Sequence, residues 1–216
     1  MFKRLNANDD RSRQVIDLSP KDEMNGKDVK VVILQAAKKL FALKGFEGTT
    51  VRQICDEAGV SLALVSYHFG GKENVFYALF EPLRHYFANM HYELADPIAD
   101  LRGFIEKFVD YRYEERHLIS ILQQELMMKS PRVEKLTYAI FPTWEQLRSI
   151  LQAGMEQGAI RFPSLGFAVN FTMGAIISSM LDPYLNPMEG EREVTPEEAA
   201  HLTVRFVFNG LGIDFD

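Results

Sequence analysis

The sequence has little of what several classes of protein depend on. It contains one cysteine among 216 residues, Cys55, so no disulfide can form within the chain, and a reducing, cytoplasmic environment is expected. Its apolar runs are all shorter than the ~18 residues that a membrane-spanning helix needs. The opening stretch, MFKRLNANDD, lacks the apolar core of a secretion signal. We therefore expect no membrane partner.

The patterns typical of enzymes and metal proteins are also missing. His85 and His91 stand six residues apart, which places them on different faces of a helix, and no His, Cys or Asp cluster has the spacing of a metal site. No serine lies in a nucleophile-elbow motif, and no glycine-rich loop could cradle a phosphate. We expect neither an enzyme nor a protein that needs a cofactor.

What the sequence does contain is apolar residues, 47% of the total, at helical spacing. In VKVVILQAAKKLFALKG they fall on one stripe, which Gly45 closes. Three later segments begin with a capping residue followed by proline, a typical helix start, after Asp96, Ser130 and Thr195. Strand-like alternation is absent, so the sequence predicts an all-α fold.

Charge is distributed unevenly along the chain. Residues 29–80 hold six Lys or Arg against four Asp or Glu, whereas residues 81–216 hold twelve against twenty. The net charge of −6 therefore hides a mildly basic segment that permits contact with nucleic acid. We predict a polar arm over residues 1–28, a small domain over residues 29–75 and a larger helical bundle over residues 76–216.

The basic segment has the outline of a helix-turn-helix. Two short helices, predicted over Val51–Ala58 and Leu62–Phe69, are joined by a turn at Gly59, which permits a sharp change of direction. In such a unit the amino-terminal residues of the second helix meet base edges in the major groove. Tyr67 and His68 can donate hydrogen bonds to phosphate oxygens, although aromatic residues at a helix end also serve as half-buried packing residues.

The full segment ILQAAKKLFALKGFEGTTVRQICDEAGVSLALVSYHFGGKENVFYALF resembles the DNA-binding domain of the TetR (tetracycline repressor) family of bacterial regulators. The shared features are the apolar first helix, the TTVRQI start of the second, and the strings AGVS, YHF and GKE. The rest of the chain is similar only in helix number and order. The resemblance implies a homodimeric repressor that binds a palindromic operator on double-stranded DNA and is released by a small-molecule effector.

The resemblance also implies roles for individual residues in DNA binding. Leu62 departs from the polar or basic residue that many members have just after the cap of the recognition helix, so thymine-methyl contacts and DNA shape are expected to carry more of the specificity. The implied set is Thr50, Tyr67, His68 and Lys72 at phosphates, Leu62, Ala63 and Ser66 at bases, Arg52 near the groove edge, and Ser61 at the start of the recognition helix.

The larger domain is rich in aromatic and Met side chains, which line adaptable apolar pockets and equally fill ordinary helical cores. Together they favour an apolar or amphipathic effector. The residues that we predict to bind it are Phe104, Phe108, Tyr111, Gln124, Met128, Trp144 and Phe171.

The last two helices are predicted to form the dimer interface, or else to be ordinary core. Small residues four apart, such as Gly174 and Ser178, give one helix a narrow face for close approach, and the final helix supplies apolar side chains beside it. A four-helix bundle across a twofold axis would then match a palindromic site. The predicted interface residues are Phe167, Phe171, Gly174, Ala175, Ser178, Leu202 and Phe206.

A long helix, predicted from Lys72 to about Leu94, would connect the two domains and carry a kink at Pro82. Pro82 is either the pivot through which an effector changes the spacing of the recognition helices or a passive kink. A function of another class stays open. The acidic balance and the apolar Leu62 would also suit a small-molecule-binding or interaction protein with a vestigial helix-turn-helix.

Overall fold

The computed structural model describes residues 26–178 and 194–213, which form ten helices and no strand. Most of the predicted arm lies outside the described residues. The predicted all-α fold is confirmed. The helices are α1 Gly26–Lys44, α2 Val51–Ala58, α3 Leu62–Phe69, α4 Lys72–Ala78, α5 Glu81–Ala88, α6 Pro97–Glu114, α7 Arg116–Met127, α8 Pro131–Glu156, α9 Leu165–Ser178 and α10 Pro196–Gly210.

Helices α1 to α4 form the small amino-terminal unit, with α1 packed on α2, α3 and α4. The apolar stripe predicted along α1 is buried throughout, with Ile33, Ala37 and Phe41 fully inaccessible. Gly59 ends α2 in the left-handed conformation, φ 67°, and its N–H donates to the Cys55 carbonyl. A residue with a side chain would be strained there, so this glycine fixes the angle between the two helices.

The predicted long helix from Lys72 to about Leu94 is wrong, because the chain forms two shorter helices. Pro82 has no N–H to donate to the carbonyl of Ala78, four residues earlier, and α4 ends at Ala78. Pro82 then lies in the first turn of α5, where a missing N–H costs little. The N–H groups of Leu79 and Phe80 bridge the break by donating to the carbonyls three residues earlier, those of Phe76 and Tyr77.

A second proline has the opposite outcome. Pro142 lies inside α8, which runs from Pro131 to Glu156 without a break. The three helix starts marked by a capping residue and proline are confirmed. Asp96 accepts a hydrogen bond from the N–H of Ala99, Ser130 from that of Arg132, and Thr195 from that of Glu198.

Helices α5 to α10 form the larger unit. Helix α6 lies at its centre, in contact with α7, α8, α9 and α10, and α1 packs against α7 to join the two units. The interior is strongly aromatic: the rings of Phe87 and Phe108 lie 5.4 Å apart, as do those of Phe108 and Trp144. Among the described helices, none is long and apolar enough to cross a membrane.

Candidate nucleic-acid interface

One face of α3 is exposed, while the opposite face anchors the helix to the core. Val65 is fully buried, and Leu64 and Phe69 pack against the core. Ser61 caps the helix by accepting a hydrogen bond from the Leu64 N–H at 3.4 Å. The helix therefore presents four exposed side chains outward, all from the predicted DNA-binding set: Leu62, Ala63, Ser66 and Tyr67.

Two of these outward side chains are large and apolar in most of their surface. Tyr67 is 83% exposed and Leu62 is 57% exposed. The packing alternative is therefore wrong for Tyr67, whereas His68 is half-buried, with its ring 5.0 Å from that of Tyr67. A short helix held this firmly and carrying two such exposed side chains is typical of a contact surface.

Helix α2 places two more predicted residues beside α3. Thr50 and Gln53 form a capping box. The Thr50 hydroxyl accepts a hydrogen bond from the Gln53 backbone N–H, and the Gln53 side-chain oxygen accepts one from the Thr50 backbone N–H. Arg52, two residues on, is exposed. The neighbouring Thr49 is fully buried, and its hydroxyl donates to the Gly45 carbonyl at 2.9 Å, so it holds the end of α1 and has no surface to offer.

Lys72 has a structural role that the sequence reasoning missed. Its Nζ donates to the backbone carbonyls of Phe46 and Thr49, both at 2.9 Å, and lies 4.0 Å from the centre of the Phe46 ring. The ammonium thus holds the turn between α1 and α2. A phosphate contact by Lys72 stays a prediction, and one of its three donors remains for it.

Arg132, on the first turn of α8, was also missed. Its guanidinium pairs with the buried Glu125 at 2.9 Å and with Glu47 of the α1–α2 turn, also at 2.9 Å. Burial lowers the pKa of Arg132, but its hydrogen bonds to these two carboxylates raise it further, so the net pKa lies above the ordinary value. No local pattern in the sequence could have paired residues so far apart.

The residues predicted to bind an effector do not form one site. Gln124 donates instead to the Ala42 carbonyl at 3.0 Å, between α7 and α1. Met128 is 71% exposed at the end of α7, and Phe171 is 62% exposed on α9. These three side chains lie outside the aromatic interior, so their part in effector binding stays a prediction. The remaining members, Phe104, Phe108, Tyr111 and Trp144, belong to the aromatic interior.

The residues predicted for the dimer interface do lie together. On α9, Phe167, Phe171, Gly174 and Ser178 are exposed along one face. On α10, Leu202 and Phe206 are exposed beside them, at 55% and 72%. Two open grooves of about 510 and 410 Å³ run along this face, and Ala175 contributes to both. We name this surface, made by the exposed residues of α9 and α10, the α9/α10 face.

Neither a metal site nor a reactive thiol is found in the described part of the chain. No group of three or more His, Cys, Asp or Glu side chains there could hold a metal ion. Cys55 is buried in the core of the small unit, and this burial raises the pKa of its thiol. Cys55 is therefore a packing residue, as its place on the apolar face of α2 predicts.

Residues 33–79 match the family model described as bacterial regulatory proteins, tetR family. The matched segment runs from the middle of α1 through α4, and so contains the whole of α2 and α3. It ends four residues beyond the predicted boundary of the small domain at residue 75.

Similarity extends beyond that segment in several known proteins. The chain is 30% identical over 136 residues to the HTH-type transcriptional repressor NicS of Pseudomonas putida, an alignment that covers 60% of this chain. It spans 64% of NicS, slightly less than two thirds of that protein's length. It is also 28% identical over 152 residues to the HTH-type transcriptional repressor KstR2 of Rhodococcus jostii, covering 66% of this chain and 73% of that protein.

Solved structures show the same arrangement of helices. The crystal structure of HlyIIR, a hemolysin II transcriptional regulator, superposes with a TM-score of 0.70 at 27% identity, over 88% of this chain and 100% of that one. The similarity therefore includes the larger helical unit as well as the matched amino-terminal segment. Residues 33–79 therefore form a DNA-binding domain of the TetR family of bacterial regulatory proteins, and the chain as a whole shares its helix arrangement with a solved transcriptional regulator.

Proposed function

We propose that this protein is a ligand-responsive transcriptional repressor, which binds a palindromic operator as a homodimer and leaves it when a small apolar or amphipathic effector binds. The observation that carries the proposal is the outward face of α3, where Leu62 and Tyr67 are exposed on a helix firmly anchored by Val65. The repressor names of its relatives NicS and KstR2 support it.

In the proposed complex, the amino-terminal turn of α3 enters the major groove. Leu62 and Ala63 meet thymine methyl groups, and Ser66 meets a base edge as a hydrogen-bond donor or acceptor. The exposed Tyr67 hydroxyl and the Arg52 guanidinium donate to phosphate oxygens on either side. Because so few polar side chains face the bases, most of the affinity comes from the backbone contacts, which salt weakens.

The α9/α10 face supports a homodimer. Exposed Phe167, Phe171 and Phe206 surround a strip at Gly174, where an added Cβ would meet nothing within 4 Å in the same chain. A second copy can therefore approach closely along that strip and bury the phenyl rings in the adjoining grooves. Two α3 helices related by a twofold axis would then read the two halves of a palindrome.

The interior of the larger unit supports an effector that is mainly apolar. Its rings surround Tyr111, which is 4% exposed and whose hydroxyl has no hydrogen-bond partner among the described residues. The buried hydroxyl of Thr143 on α8 also has no hydrogen-bond partner among the described residues. An effector that separates these rings and offers a polar atom to either hydroxyl would satisfy a group that otherwise remains costly to bury.

Selection of binding sites from random double-stranded DNA tests the proposal. We expect an inverted repeat to be enriched, and its affinity to fall steeply with salt, with a slope of roughly −0.9 in log–log units for each phosphate contacted. Small apolar compounds are then screened for release of that DNA. If no duplex is enriched at low salt, the protein is a small-molecule-binding or interaction protein with a vestigial helix-turn-helix.

A further inference from the structure

The turn between α7 and α8 carries a buried polar cluster that belongs to the larger unit. The Glu125 side chain is 4% exposed and accepts hydrogen bonds from the Ser130 hydroxyl and from Arg132 Nε, the latter at 2.9 Å. The Ser130 hydroxyl oxygen in turn accepts from the Arg132 backbone N–H and caps α8. These bonds fix the Arg132 guanidinium to the end of α7 and the start of α8.

From this anchor Arg132 reaches the small unit. Its Nη1 donates to Glu47 at 2.9 Å, and the guanidinium carbon lies 3.9 Å from the centre of the Phe46 ring. Both partners belong to the turn between α1 and α2. A guanidinium this close to an aromatic face is attracted to it, and the pairing is strengthened where water is excluded. The Arg132 side chain is 11% exposed.

Phe46 connects Arg132 to α1 and α4, two helices that pack against the recognition helix α3. Its ring packs against Phe41 and Phe76 at 5.5 and 5.2 Å, and the Lys72 ammonium lies 4.0 Å from its centre. Lys72 starts α4, directly after α3, and also holds the Thr49 carbonyl beside the cap of α2. A displacement of Phe46 therefore disturbs the starts of both α2 and α4, which flank α3 in the chain.

We propose that Arg132 is a positioning residue that couples the effector state of the larger unit to the orientation of α3. The inference rests on the proposed function and gives its regulation a physical route. When α7 and α8 shift against each other, the Glu125–Ser130–Arg132 cluster moves with them. The Phe46 ring then loses one of its two cations, and the α1–α2 turn is released.

Other contacts of the described residues also cross this junction, but none reaches the α1–α2 turn. Lys38 forms a part-buried pair with Glu115 at 2.6 Å, and Lys135 forms an exposed pair with Glu73 at 2.9 Å. Glu47 is itself 74% exposed, so water screens its ion pair with Arg132, and the buried contact of the guanidinium with the Phe46 ring carries most of the coupling. Gln124 holds the Ala42 carbonyl near the end of α1. Arg132 is therefore the contact whose loss should be felt at α3.

Hydrogen–deuterium exchange on the full chain, without DNA, tests the coupling. We expect amides of α3 to exchange about fivefold faster or more in Arg132→Met than in the wild type, and to be accelerated less in Glu47→Gln, with α10 unchanged in both. Glu57→Gln is the matched control. It removes the same charge from the same unit but breaks only the pair with Lys39, and α3 should exchange as in the wild type.

A double-variant comparison keeps the test decisive if Arg132→Met folds poorly with Glu125 left unpaired. In the Glu125→Gln/Arg132→Met background, adding Glu47→Gln should accelerate exchange in α3 no further, since Glu47 acts through Arg132. Unchanged α3 exchange in Arg132→Met and in Glu125→Gln/Arg132→Met, or equal acceleration in α3 and α10, would overturn the proposal. Because no DNA is present, either result leaves the proposed operator binding to be judged by the selection experiment.

Discussion

At the scale of single residues, Lys72 stabilises the fold although the sequence predicts that it contacts DNA. The family resemblance implies a phosphate contact there, yet two of its three donors are already bonded to the carbonyls of Phe46 and Thr49. These carbonyls lie at the turn where α1 gives way to α2. Loss of DNA affinity in a Lys72 variant could therefore come from two causes, the loss of a phosphate contact and the destabilisation of the small unit.

Replacement of Lys72 by methionine should separate these effects. The change leaves two carbonyl oxygens without their charged donor, so we expect the free energy of unfolding to fall by about 1.5–3 kcal/mol. Urea unfolding followed by circular dichroism gives the measurement. Lys39→Met, which breaks only an exposed pair with Glu57, should cost about 0–1 kcal/mol. Equal losses in the two variants would mean that Lys72 has no structural role.

Tyr92 makes a prediction about alkaline pH. Burial, followed by the negative charge of Asp100, raises the pKa of its phenol from 10.0 to about 12. The unfolded chain releases this proton from about pH 10, while the folded chain keeps it, so unfolding becomes more favourable as the pH rises through this range.

In Tyr92→Phe, the fall in the urea midpoint between about pH 9 and about pH 11.5 should therefore be smaller than in the wild type. Tyr67→Phe, at a side chain that is 83% exposed, is the control and should follow the wild-type curve. A Tyr92→Phe curve parallel to that of the wild type would contradict the raised pKa.

At the scale of helices, the features that could be predicted are those set by interactions between residues close together in the sequence. Caps at Asp96 and Thr195 and the turn at Gly59 are set by residues within four positions, so the local sequence contains their cause. The two prolines required tertiary information, since Pro82 ends α4 while α8 continues through Pro142.

The candidate site divides in the same way. The outward face of α3 follows from helical periodicity around Val65, and so its exposed residues were predictable. The pair of Arg132 and Glu47 joins positions 85 residues apart. The hydrogen bond from Gln124 to the Ala42 carbonyl joins positions 82 apart. Periodicity says which side of a helix is apolar, and it does not say which helix lies opposite.

Helix α8 supplies a test in which packing opposes helix propensity. A Cβ added at Gly154 would lie 2.5 Å from Ile160 Cδ1 and 2.8 Å from its Cγ1, in the buried contact between α8 and the segment that follows it. Although alanine favours helices, we expect Gly154→Ala to lower the free energy of unfolding by about 1–3 kcal/mol through overpacking.

The matched change is Gly103→Ala on α6, where an added Cβ meets nothing within 4 Å. This variant should be more stable than the wild type by about 0.5–1 kcal/mol, because a helix interior prefers alanine. Thermal and urea unfolding of both variants provide the comparison. Stabilisation of both by the same amount would show that Ile160 moves aside without cost.

At the scale of the whole molecule, the α9/α10 face should determine the assembly state. Phe206 is 72% exposed there, which is costly for a monomer in water but favourable when a second copy covers it. Phe206→Glu should therefore shift the protein from dimer to monomer in sedimentation velocity and weaken binding to a two-half-site operator by more than tenfold, about 1.4 kcal/mol or more.

Phe141→Glu is the control for that experiment. Phe141 is 60% exposed on α8 and lies outside the α9/α10 face, so the substitution adds the same charge to a comparable aromatic position without touching the proposed interface. It should leave the sedimentation coefficient unchanged. Dissociation by Phe141→Glu and not by Phe206→Glu would place the interface elsewhere.

Because its one cysteine, Cys55, is buried, the protein is well suited to distance measurement with site-directed spin labels. A thiol reagent finds no accessible native target, so a cysteine substituted for the exposed Leu43, near the end of α1 and outside the predicted DNA-binding set, would accept a nitroxide at one place per subunit. In an assembly of two copies, pulsed electron resonance would then report one separation. On DNA the distances should form one narrow distribution, because the operator fixes the spacing of the two small units, and a broader or displaced distribution after effector addition would record the release.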